Sequence, residues 1–102
     1  MDNTQPTLKS LKLLPEYQKY AEAVRVTDQR IEDHSNPSHP ASEVQPQLHH
    51  RQVEMDVKAI ETAREALANR LLEAGVPKGD QSYMMRLLER EAHEAAAAGM
   101  RR

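Results

Sequence analysis

Residues 47 to 80 read QLHHRQVEMDVKAIETAREALANRLLEAGVPKGD, and this stretch decides the fold. Its apolar residues Val53, Val57, Ile60, Leu67 and Leu71, flanked by Ala63 and Ala74, recur at helical spacing and form one stripe. Gly75 then stands where a left-handed helix-terminating residue is expected, with apolar Val76 after it and Pro77 blocking continuation. The pattern predicts a helix from Gln47 to Ala74, roughly 40 Å long at about 1.5 Å per residue.

Downstream, Asp80 or Ser82 can cap a further helix whose face carries Met84, Leu87, Leu88 and Ala95 until Gly99, and residues 99–102 read as a short basic tail. Because the connection from Gly75 to Asp80 is short, residues 47–98 are expected to form an antiparallel helical hairpin. Folding the chain about that turn brings Leu71 to Met84, Leu67 to Leu88 and Ile60 to Ala95, so apolar residues meet at each level. Arg64 interrupts the first of these stripes and Glu91 the second. The same register predicts that Arg64 and Glu91 contact each other across the hairpin, as a pair that helps to fix register.

Upstream, Ser35 to Pro46 contains Pro37, Pro40 and Pro46 among Ser, His and Asn, so residues 35–46 read as an extended linker. Before it, Tyr17, Tyr20, Val24, Thr27 and Ile31 follow steps of three and four, a heptad seam on a helix over residues 16–34. Asp28 interrupts that seam, with Arg51 or His50 as its expected partners. Pro15 suits the first turn of this helix and ends what precedes it. Residues 1–15 are then a mobile, polar start followed by a short apolar turn carrying Leu8, Leu11 and Leu14.

No run alternates with period two over a strand's length, and no internal repeat is found. The predicted class is all-α: a three-helix bundle, or a helical hairpin with a docked N-terminal helix, packed in the manner of a coiled coil. The length of 102 residues allows one domain. Its core materials are thin, because Phe and Trp are absent, Tyr occurs three times, and thirteen of the apolar residues are Ala. With no Cys, disulfides cannot compensate, and self-association is the expected remedy.

Lys and Arg number 14 against 16 Asp and Glu, a balance that disfavours non-specific nucleic-acid binding. No apolar run approaches the roughly 20 residues that span a bilayer, and the start lacks the order of a secretory signal, so a cytoplasmic location is expected and no membrane partner.

Residues with the chemistry of a reactive or metal-binding site are few. The five histidines include His34, His39, His49 and His50 around the linker, but no pair has the spacing of a helical zinc site, so no metal site is expected. No serine sits in a strand-to-helix turn that would activate it, and the glycines around Val76 to Lys78 lack the spacing and ending of a phosphate loop. The expectation is a non-enzymatic, cofactor-free protein-binding module, such as a small adaptor, inhibitor or assembly factor, acting through helical faces as a homo-oligomer that also binds an unidentified protein. Leu8, Leu11, Leu14, Tyr17 and Tyr20 are its candidate partner-binding residues. The alternative is a regulator or sponge for a nucleotide or other anionic small ligand, held by Arg64, Arg86 and Arg90 at a subunit junction.

Overall fold

A Thr-Leu-Lys-Ser sequence is a compact helix-start signal, and the chain uses it at once. In the computed structural model, which describes residues 6–100, Ser10 N–H donates to Thr7 Oγ1 (3.1 Å) and Thr7 N–H donates to Ser10 Oγ (3.0 Å). This reciprocal box opens the one-turn helix α1, Leu8–Leu11. Pro15 then supplies the first position of α2, Pro15–Ser35, and Pro46 does the same for α3, Pro46–Glu73. Neither helix has a side-chain cap; in both, proline at the start removes one of the amide donors a cap would otherwise satisfy. A 3-10 turn at Lys78–Asp80 leads into α4, Gln81–Met100. Residues 1–5, expected to be mobile, and residues 101–102 of the expected basic tail lie outside the described residues. No strand occurs among the described residues, and the all-α class is observed.

The stop at the end of α3 has the form its sequence predicts. Gly75 has φ of +103°, Val76 N–H donates to Leu71 O (3.0 Å) and Gly75 N–H to Leu72 O (3.1 Å). Those two bonds define the Schellman motif, and the apolar residues it brings together, Leu71 and Val76, are both buried. Gly99, by contrast, is helical and does not end α4.

The helices pack as a bundle in which α2 lies against both α3 and α4. Tyr17, Tyr20, Val24 and Thr27 of α2 are buried, as the seam predicts, and Thr27 satisfies its hydroxyl by donating to Ala23 O (2.9 Å). They meet Ala63, Leu67 and Leu71 of α3 and Met85, Leu88, Ala92 and Ala96 of α4. The molecule is elongated, 58 × 27 × 19 Å, with a radius of gyration of 16.1 Å, against about 13 Å for a compact domain of this length.

Three expectations are corrected by this arrangement. The inward line of α4 is Met85, Leu88, Ala92 and Ala96, rotated by about one residue from the expected Met84, Leu87, Leu88 and Ala95; Met84 and Leu87 are half-buried and Ala95 is exposed. The expected line treated α4 as facing α3 alone, whereas α4 must face α2 as well. Val57 and Ile31, expected in the seams, are 40% and 44% exposed, because α4 offers only the short side chains of Ala95 to Ala98 near their level. Residues 36–45 are not extended but folded on themselves. Ser38 N–H donates to Asn36 Oδ1 (3.0 Å), Ala41 N–H to His39 Nδ1 (3.0 Å), and Pro40–Glu43 form a 3-10 turn.

Three substitutions test these elements. A Cβ at Gly75 would meet nothing closer than Pro6 Cδ at 3.8 Å, so Gly75→Ala tests backbone conformation alone. It is expected to cost about 1–2 kcal/mol in urea unfolding, while Gly79→Ala, at a negative φ with open space around it, should be neutral or stabilising. Leu11→Ala, which empties a fully buried position supplied by α1, should cost about 2–4 kcal/mol in the same assay.

Candidate protein-binding surface

The candidate partner-binding residues of the N-terminal region turn inward. Leu11, Tyr17 and Tyr20 are buried, and Leu8 and Leu14 pack against the same core. Burial pushes the Tyr20 phenol up to about 12, with the neighbouring Glu89 charge acting in the same direction, and burial likewise raises Tyr17. Lys12 holds α1 against α4 through its ammonium, which donates to Glu91 Oε1 at 2.7 Å. These five residues form the protein's own core and are not a free docking face.

That contact also changes the partner of Glu91. The expected Arg64–Glu91 pair does not form: Arg64 Nε donates to Glu89 Oε2 at 2.7 Å, two residues nearer the turn. The cause is the rotation of α4, which carries Glu91 round to α1 and brings Glu89 over α3. Asp28 is similarly displaced from its expected partners and lies 3.9 Å from His93 Nδ1.

Of the candidate anion-binding arginines, two come together. Arg64 and Arg86 line a cleft of about 340 Å³ with Ala68, Gln81, Ser82 and Met85, while Arg90 is exposed outside it. Gln81 Nε2 donates to Ala68 O (2.7 Å) and ties the start of α4 to α3 beside that cleft. The guanidinium of Arg64 is already engaged by Glu89, which sets a competing carboxylate in the way of any phosphate.

The histidines sort into a structural cluster. The rings of His34 and His49 stack at 3.7 Å with 11° between planes, and His34 Nε2 donates to Val44 O (3.1 Å), so the end of α2, the loop and the start of α3 are pinned together. Arg30 adds an ion pair to Asp56 of α3 and a hydrogen bond to Gln52. His50 lies 3.0 Å from Glu54 on the outer side of α3. Among the described residues no three metal-ligating side chains converge.

The surface that the expected site residues do not include is a groove between α2 and α3. It encloses about 400 Å³ and is lined by Lys19 and Ala23 of α2 and by Lys58, Ala59, Thr62, Ala63 and Ala66 of α3. Along the same line of α3 stand Met55, 71% exposed, and Leu48, 50% exposed. Leu48, Met55, Ala59, Thr62 and Ala66 fall within about 40° of one line at about 100° per residue. Its signal in the sequence is a second heptad of steps seven, four, three and four, offset from the larger aliphatic stripe that faces the core. It is harder to see because three of its five members are Ala or Thr.

No family model, no curated protein and no solved structure matches the chain.

The stacked histidines carry a pH dependence. Burial, then the adjacent His34, Arg30 and His50, lowers His49 below its ordinary 6.5. The folded state therefore binds fewer protons than the unfolded chain, and the stability that the neutral ring contributes is fully present above pH 6.5 and is lost as pH falls through the lower folded value. An NMR titration of the ring C–H signals should place His49 below an ordinary histidine, with amide protection in residues 36–45, taken relative to the intrinsic exchange rate at each pH, falling on acidification. A midpoint at or above the ordinary value would refute the stacked arrangement.

Proposed function

We propose that this chain is a non-enzymatic protein-binding module, a small adaptor, inhibitor or assembly factor that works through exposed helical faces and as a homo-oligomer. The observation that carries this reading is the groove of about 400 Å³ between α2 and α3, with Met55 and Leu48 exposed along its continuation. Apolar side chains aligned on one helix face are the form in which a helix offers itself to another helix. Small-molecule pockets differ, since they enclose a few convergent polar groups. A cytoplasmic location is part of this proposal; no helix among the described residues is long and apolar enough to cross a membrane.

One observation favours a second reading, an anion-binding regulator: Arg64 and Arg86 share a cleft. Glu89 weighs against it, since a phosphate would have to displace a carboxylate already 2.7 Å from Arg64 Nε.

Native mass spectrometry of protein purified from cells separates the two. The first reading expects a whole-number multiple of the subunit mass with no nucleotide. A monomer carrying a nucleotide or another phosphate compound would transfer the function to the arginine cleft. A bare monomer at every concentration, with no second protein attached, would remove both.

A further inference from the structure

The floor of the groove on α3 has a defined shape. Ala59, Thr62, Ala63 and Ala66 stand at positions i, i+3, i+4 and i+7, the four that frame a hole for one side chain of a facing helix. All four are small; Ala63 is buried on the side toward α2, and the hole opens to solvent at Ala59, Thr62 and Ala66. About two turns before it on the same line stands Met55, which is 71% exposed and, being unbranched and polarizable, adapts to the surface it meets. Knob and hole lie on one rigid helix, about 11 Å apart, so neither can serve the other within one chain.

We infer that a second copy of this chain docks antiparallel along α3, each copy placing Met55 in the hole formed by Ala59, Thr62, Ala63 and Ala66 of the other. The inference rests on the reading of the chain as a self-associating helix binder and adds the surface and its geometry. Setting Met55 over the hole fixes the register and puts the twofold axis close to Ala59. A parallel pairing would set Met55 against Met55 and hole against hole, leaving the sockets empty.

The charges agree with the antiparallel choice. On the solvent side of this line Arg51 and Lys58 precede Glu61 and Glu65, and none of the four makes an ion pair among the described residues. Glu54, which breaks the order, is taken up by His50. In the register set by Met55, Arg51 faces Glu65 of the second copy, twice over. The two Lys58 ammonium groups near the axis each come within reach of Glu61 from the other copy. Opposite charges flanking an apolar seam are the arrangement that selects helix orientation in coiled coils.

The chain has no Cys, so single introduced cysteines report the geometry directly. Ala59→Cys, beside the axis, should oxidise to a disulfide-linked dimer on a non-reducing gel. Leu48→Cys, whose counterpart lies roughly 30 Å away at about 1.5 Å per residue, should not. Met55→Lys, at an exposed position that should leave the thermal melt unchanged, should weaken dimerisation about tenfold or more in sedimentation or light scattering. Arg51→Glu should weaken it too, and adding Glu65→Arg should restore it. An oligomer in which Ala59→Cys fails to cross-link, or in which the charge swap fails to restore association, overturns the antiparallel docking while leaving the protein-binding reading in place. A wild-type chain that is monomeric at all concentrations overturns the docking, and native mass spectrometry then decides whether any partner-binding role survives.

Discussion

One helix, α2, has to bury two flanks at once, and the rest of the structure follows from that demand. Its seam of Tyr17, Tyr20, Val24 and Thr27 faces the angle between α3 and α4, so both must lean on it. Among the described residues Tyr17 and Tyr20 are the only large aromatic residues in the core, and they fill the end of the bundle where α1 closes over it. At that end Leu11, Leu67, Leu71 and Leu88 are fully buried, and Lys12, held by Glu91, latches α1 in place. The short helix is therefore a lid on the aromatic end of the core.

Toward the other end the core thins. Opposite Ile31 and Val57 the last turns of α4 present Ala, and stability there passes to polar contacts: Arg30 with Asp56, and the stacked rings of His34 and His49. This division explains the elongated shape. It also explains why the histidines cluster at the loop, since an aromatic ring supplies contact area that the alanines at that level lack. The pH sensitivity assigned to His49 is thus a property of the weakly packed end and leaves the leucine end untouched.

Much of this was legible in the sequence. The boundaries of α2 and α3 fall within a residue of those expected, because Pro15, Pro46 and Gly75 act locally and do not depend on what packs nearby, whereas Gly99 stays helical and α4 runs on to Met100. Tyr17 to Thr27 read correctly as buried for a similar reason, since both neighbours of α2 use the same stripe. The orientation of α4 was not legible. Met84 and Met85 are chemically alike, and which of them points inward depends on a third helix whose position no local pattern encodes. The exchange of Glu91 for Glu89 as the partner of Arg64 follows from that one rotation. The groove was not legible either, because a hole made of alanines is defined by what its side chains lack.

The two candidate surfaces occupy opposite sides of α3. Ala59 and Ala66 lie on the line that carries Met55, whereas Arg64 is displaced from it by about 160° at about 100° per residue, on the side that meets α4. A second copy lying along the first line would leave the cleft of Arg64 and Arg86, the exposed Arg90 and the outer face of α4 uncovered. Self-association and engagement of another molecule then do not compete for surface. In an antiparallel pair the twofold axis also carries the two α4 helices to opposite outer sides. A dimer built this way would present two identical, separated faces, which is the geometry an adaptor needs in order to bridge two copies of a partner.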